Sequence, residues 1–125
     1  MMKKNSGRLL VAAMFVAGVG CSTAYAGERV SAAELQRLVP GAHLAGTVAG
    51  GGKFEGTYNK DGTLEIRTED DSDTGNWEFE EDTVCLTWRK WRDGKRYCIY
   101  WEKTADGYLS RFADGRHSTT FKIVE

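Results

Sequence analysis

The sequence predicts a mainly β domain: about eight antiparallel strands in a meander that closes as a small barrel or strongly curled sheet, with one short N-terminal helix. Two observations carry this expectation. From about His43 to the end, apolar and polar residues alternate with period two, as in Leu64 and Ile66 against Glu65 and Arg67, or Trp77 and Phe79 against Glu78 and Glu80. Asp-Gly pairs beginning at Asp61, Asp93, Asp106 and Asp114 punctuate the alternating runs, and Asp-Gly between such runs is a strong hairpin signal.

Residues 1–26 read as a secretory signal peptide. Lys3, Lys4 and Arg8 precede an apolar run over 9–19, and Ala24-Tyr25-Ala26 forms a small-x-small cleavage site. An apolar run of about 11 residues falls short of the roughly 20 needed to cross a bilayer. Cleavage after Ala26 competes with lipidation at Cys21, because Gly18-Val19-Gly20-Cys21 resembles a bacterial lipobox with Gly where Leu is usual. The expected location is therefore periplasmic or secreted, with a lipoprotein anchored through Cys21 as the alternative and the only route to membrane contact.

The 99 residues from Gly27 onward form a single domain of net charge near −4: the chain's 17 basic residues less Lys3, Lys4 and Arg8, against 18 acidic ones. An acidic balance argues against a general nucleic-acid binder, whose affinity rests on neutralising phosphates. A domain this small buries limited apolar surface, so a disulfide is a useful supplement in an oxidising compartment. Either fate of Cys21 leaves Cys85 and Cys98 as the available pair.

Ser31-Ala32-Ala33-Glu34 is a capping box, with Val30 and Leu35 at the positions of a hydrophobic staple. A helix is expected from Ser31 through Leu38, ended by Pro40-Gly41. Two turns are not stable alone, so its Leu35, Leu38 and Val39 face is expected to pack on the β-strands, covering one end of the barrel. Strands are expected over about 43–49, 53–59, 63–68, 74–80, 83–89, 95–102, 107–112 and 117–124.

The stretch 75–102 holds all four tryptophans and both remaining cysteines. A tight turn centred on Asp93-Gly94 would leave the cysteines four residues out of register, about 13 Å along the strands. A disulfide requires Cα atoms within about 7 Å. Setting Cys85 opposite Cys98 instead places Leu86 beside Tyr97 and Val84 beside Ile99, with 89–94 as a loop and Trp91 near its tip. Closing that loop contributes roughly 3 kcal/mol. Two free thiols or an intermolecular pair are the alternative.

Few motifs carry chemistry. Gly50-Gly51-Gly52-Lys53 lacks the hydroxyl residue and helix of a phosphate loop. Asp70, Ser72, Thr74, Gly75 and Glu81 fall at calcium-loop offsets, but a strand pattern occupies 77–80, so this run reads as a solvated acidic turn. His43 and His117 are too few for a zinc site, and His117-Ser118 point to opposite faces of a strand, against a triad with Asp114. No catalytic set assembles, and no cofactor or metal is expected.

The basic cluster is the most suggestive surface: Arg89, Lys90, Arg92, Lys95, Arg96 and Lys103 surround Trp91 in an otherwise acidic domain. It would dock an acidic envelope protein or another anionic envelope component, combining attraction with an aromatic anchor. The competing reading pairs these charges with the acidic 69–82 segment across the sheet.

Leu38-Val39-Pro40-Gly41, Tyr58-x-x-Asp61-Gly62, Gly75-x-Trp77, Cys85-x-x-Trp88, Cys98 and Asp106-Gly107-Tyr108 together resemble a group of small exported bacterial proteins classed as domains of unknown function. The resemblance implies export, paired cysteines and a β architecture, and no catalytic residue. A looser likeness to lipocalin-type barrels departs in placing Gly75-x-Trp77 mid-chain instead of on the first strand. The functional expectation is a non-enzymatic exported binding protein of the cell envelope that uses its barrel mouth or the Trp91 loop. The alternative is a carrier of a small apolar ligand in a cavity lined by Trp77, Phe79, Trp88 and Trp101; a hydrolytic enzyme ranks behind both.

Overall fold

A computed structural model describes residues 27–125; the signal-peptide and lipobox readings fall on residues 1–26, outside the described residues. The chain forms helix α1 (Ala32–Leu38) and strands β1 (His43–Val48), β2 (Lys53–Tyr58), β3 (Thr63–Thr68), β4 (Ser72–Glu80) and β5 (Thr83–Trp88). A 3-10 turn (Trp91–Gly94) leads to β6 (Tyr97–Lys103), β7 (Tyr108–Phe112) and β8 (His117–Val124). The strands pair antiparallel in chain order, and β8 returns to β1 through Leu44↔Ile123 and Gly46↔Phe121, closing the barrel. Closure leaves no strand edge open to another chain.

The alternation read from the sequence sets the inner face. Leu44, Phe54, Tyr58, Leu64, Val84, Leu86, Trp88, Ile99, Trp101 and Phe121 are buried in one cluster. Neighbouring strands approach closely at Gly46 and Gly75, where a Cβ would run into the backbone carbonyls of Thr120 and Thr87. Only glycine permits so close an approach.

The helix forms as its capping box dictates. Ser31 Oγ accepts from the Glu34 amide at 3.2 Å, and the Ser31 amide donates to the Glu34 carboxylate at 3.3 Å. The staple residues Val30 and Leu35, with Val39, are fully buried in the same cluster as Tyr58 and Trp101. The Val30 amide donates to the Trp101 carbonyl at 2.8 Å and Gly41 to Tyr58 at 2.6 Å, so α1 closes the end of the barrel where β1 begins and β2 finishes. Lys103 pairs with Glu34 at 3.1 Å across this junction.

The cysteine hairpin adopts the expected register: Val84↔Ile99, Cys85↔Cys98 and Leu86↔Tyr97, with Cys85 and Cys98 joined in a disulfide. Several strand boundaries differ by one residue from those expected, and two strand starts differ by two residues, with one cause. β4 begins at Ser72, and β6 begins at Tyr97, later than the residue 95 expected, so the connection spans 89–96. Asp73 faces inward from the early part of β4 and draws the amides of Lys90 and Trp91 to itself, which takes that segment off the β5–β6 ladder. Among the described residues no helix is long and apolar enough to cross a membrane.

Candidate functional site

The end of the barrel opposite α1 gathers four connections: β1–β2, β3–β4, β5–β6 and β7–β8. The Trp91–Gly94 turn covers it. Trp91 is partly buried, and its ring lies 4.9 Å from that of Trp88. Asp73, 8 % exposed, accepts from the Lys90 amide at 3.0 Å and the Trp91 amide at 2.9 Å. Asp71 accepts from Lys90 Nζ at 2.6 Å and from Trp91 Nε1 at 2.9 Å. Lys90 and Trp91 hold the Asp71 carboxyl well below its ordinary range, at about 2. Burial works to raise Asp73, but the amides of Trp91, Lys90 and Thr74 outweigh it and leave that carboxyl lowered too. Arg92 and Asp93 adopt positive φ of 56° and 53°. Left-handed backbone costs non-glycine residues about 1–2 kcal/mol each, which the bonds to Asp71 and Asp73 help to offset.

The basic cluster thus divides. Lys90 pairs with Asp71, and Arg96 with Glu78 at 3.0 Å and Glu80 at 2.8 Å, as the reading that matched these cations to the acidic segment expects. The run 70–75 corrects the picture of a solvated acidic turn: Asp71 and Asp73 clamp the loop, a role invisible in calcium-loop spacing. Arg92 lies over the Tyr97 ring at 4.1 Å and the Phe112 ring at 5.2 Å, and Arg116 over Phe112 at 4.7 Å. Arg116 also pairs with Asp114 at 2.7 Å. Arg92, Lys95 and Arg89 have no carboxylate partner among the described residues.

The aromatic residues proposed to line a cavity lie mostly in the packed interior. Trp101 is fully buried, with its ring 4.7 Å from Phe121, 5.7 Å from Tyr108 and 6.3 Å from Tyr58. Its Nε1 is buried without a hydrogen-bond partner among the described residues. Trp88 is buried and donates to the Tyr97 hydroxyl at 2.9 Å. Trp77 and Phe79 sit partly exposed near the α1 end, with Trp77 Nε1 donating to the Asn59 carbonyl at 2.9 Å. Burial pushes the Tyr58 hydroxyl above its ordinary pKa.

The two concavities described lie on the outer wall and include none of these four residues. The larger, of about 710 Å³, crosses β1 to β5 and is lined by His43, Glu55, Thr57, Glu65, Thr74 and Arg89 among others. The second, of about 470 Å³, continues it along β1 to β3. Sequence reading missed this groove because its residues are the polar half of ordinary alternating strands. His117 Nε2 lies 2.8 Å from the Thr120 hydroxyl while Asp114 is engaged with Arg116, so no triad forms there. The one described group with metal-ligand geometry is Glu80, Cys85 and Cys98, whose sulfurs form the disulfide. Compared with known proteins, the chain matches no family model, no curated protein and no solved structure.

Proposed function

We propose that the protein is a non-enzymatic, exported binding module of the cell envelope, which docks an anionic envelope component through the face around Trp91. The leader-like composition of 1–26 supports export, and the Cys85–Cys98 disulfide suits an oxidising compartment. The observation that carries the binding reading is Arg92, stacked over Tyr97 and Phe112 with no carboxylate partner among the described residues. A guanidinium held over rings and not committed to a carboxylate keeps its donors for an anion, and the ring contacts limit the side-chain entropy lost on binding. Lys95 adds a second unpaired cation on the same loop, while Trp91 is occupied in closing the barrel and supports the face from beneath.

Co-sedimentation with vesicles of anionic phospholipid, against vesicles of purely zwitterionic lipid, tests this. The protein is expected to pellet with the anionic vesicles alone, and R92Q/K95Q to lose at least about half of that binding at low salt, the difference narrowing as added salt screens the attraction. Equal binding to both vesicle types, or an unchanged double variant, overturns the reading.

A further inference from the structure

The outer groove holds a charge arrangement that no contact among the described residues explains. The register His43↔Thr57↔Glu65↔Thr74, extended by the Arg89 amide donating to the Thr74 carbonyl at 2.9 Å, sets His43, Thr57, Glu65, Thr74 and Arg89 in one row across five strands. These residues alternate with the buried ones, so their side chains form the outer surface, and all five line the larger concavity. Most charges around the row are already engaged. Glu55 meets Arg67 at 3.3 Å and His43 at 4.0 Å, Lys90 meets Asp71, and Asp73 is held by backbone amides.

Two charges are left over. Glu65 accepts one hydrogen bond from the Asn59 amide at 3.2 Å and has no cationic partner among the described residues. Arg89 has no acidic one. Two interstrand spacings separate their backbone positions, about 10 Å at roughly 4.8 Å each. Between them stands the hydroxyl of Thr74, with that of Ser72 on the same strand, and each can both donate and accept hydrogen bonds; the Thr57 hydroxyl lies beyond Glu65, 2.8 Å from His43 Nδ1. The barrel is closed, so an occupant cannot add as a strand; it must be read by side chains.

We propose that this groove binds a short zwitterionic peptide laid across the strands, with its terminal carboxylate on Arg89 and its terminal amine on Glu65. An extended chain advances about 3.3 Å per residue, so a tripeptide spans about the distance between the two backbone positions and meets both side chains as they stand out from the wall, whereas a single amino acid needs the two side chains to converge on it. The Thr74 and Ser72 hydroxyls take the peptide's amide groups. A volume of about 710 Å³ lies within the range of small-ligand sites. The site is on the barrel wall and uses neither Arg92 nor Lys95, so it stands or falls apart from the anionic docking face.

The probe is trialanine, titrated into isotopically labelled protein with backbone amide shifts as the readout, beside N-acetylated trialanine, C-amidated trialanine and free alanine. Trialanine is expected to shift the amides of Thr57, Glu65, Thr74 and Arg89 saturably. Blocking either terminus is expected to weaken binding about tenfold, and free alanine to bind more weakly still. R89Q is expected to bind the free and amidated peptides equally, E65Q the free and acetylated peptides equally, and R92Q/K95Q to bind as the parent does. Thermal unfolding of each variant confirms that it is folded. The absence of saturable shifts at millimolar trialanine, equal binding of the free and blocked peptides to the parent, or unaltered terminus dependence in both R89Q and E65Q overturns the proposal.

Discussion

At one end of the barrel α1 buries Val30, Leu35 and Val39 completely; at the other the Trp91–Gly94 turn leaves Trp91 partly exposed and is tied down by two carboxylates. Both elements cover apolar barrel ends, against Tyr58 and Trp101 in one case and Trp88 in the other. The helix does so chiefly by removing aliphatic surface from water, an effect that does not titrate, with Glu34, its carboxyl lowered by Lys103 and the Ser31 amide, as a partly exposed acid-sensitive contact beside it. The turn relies on Asp71 and Asp73, which must be ionised, and carries two non-glycine residues in left-handed backbone. One end is a permanent seal; the other is a seal with an electrostatic condition attached, and it adjoins both proposed binding surfaces.

Breaking the helical end is expected to have the largest effect. Leu35→Ala removes a fully buried side chain, and truncations of this kind cost about 2–5 kcal/mol, read as a lower midpoint in urea unfolding. Asp73→Ala at the other end removes the acceptor of two backbone amides, for about 1–3 kcal/mol. Its signature differs: Trp91 is expected to become more accessible to acrylamide quenching in the native state, with W91F as the reference that isolates its emission. If Asp73→Ala unfolds the whole barrel without selectively exposing Trp91, the two ends are not separate units.

Acid separates the two ends with a smaller effect. Both carboxyls are lowered in the folded state, so their contribution is fully present above the unfolded Asp value of about 3.9 and is lost as pH falls through the folded values. For Asp71 that window extends down to about 2. Trp91 quenching is expected to rise across this range while α1 stays docked, and Asp71→Asn is expected to give part of that rise already at neutral pH. An unchanged Trp91 signal down to pH ~2 would contradict the clamp.

The elements that could be read before folding were those whose determinants lie close in the chain. The capping box joins Ser31 to Glu34, three positions apart. Alternation placed Trp88 and Trp101 inside, and the disulfide register followed from the reach of one covalent bond. Trp91 and its neighbours were legible as an unusual cluster, but their engagement was not, because the bonds from Lys90 and Trp91 to Asp71 and Asp73 cross 17 to 20 positions. Nothing local in an Asp-rich run distinguishes a clamp from a solvated turn.

Strand period, turn chemistry and capping are local and each admits few solutions, so the residues alone specify a β meander with a capped helix and a single cysteine pairing. Which charges find partners was settled in three dimensions. The paired hairpins set β1 to β5 side by side and the 89–96 connection folds back over Asp73, an arrangement that pairs Lys90 with Asp71, leaves Arg89 and Glu65 facing one groove, and sets Arg92 over aromatic rings. Charge pairing depends on distance in space, and that distance is set only once the strands have paired and the loop has folded onto them.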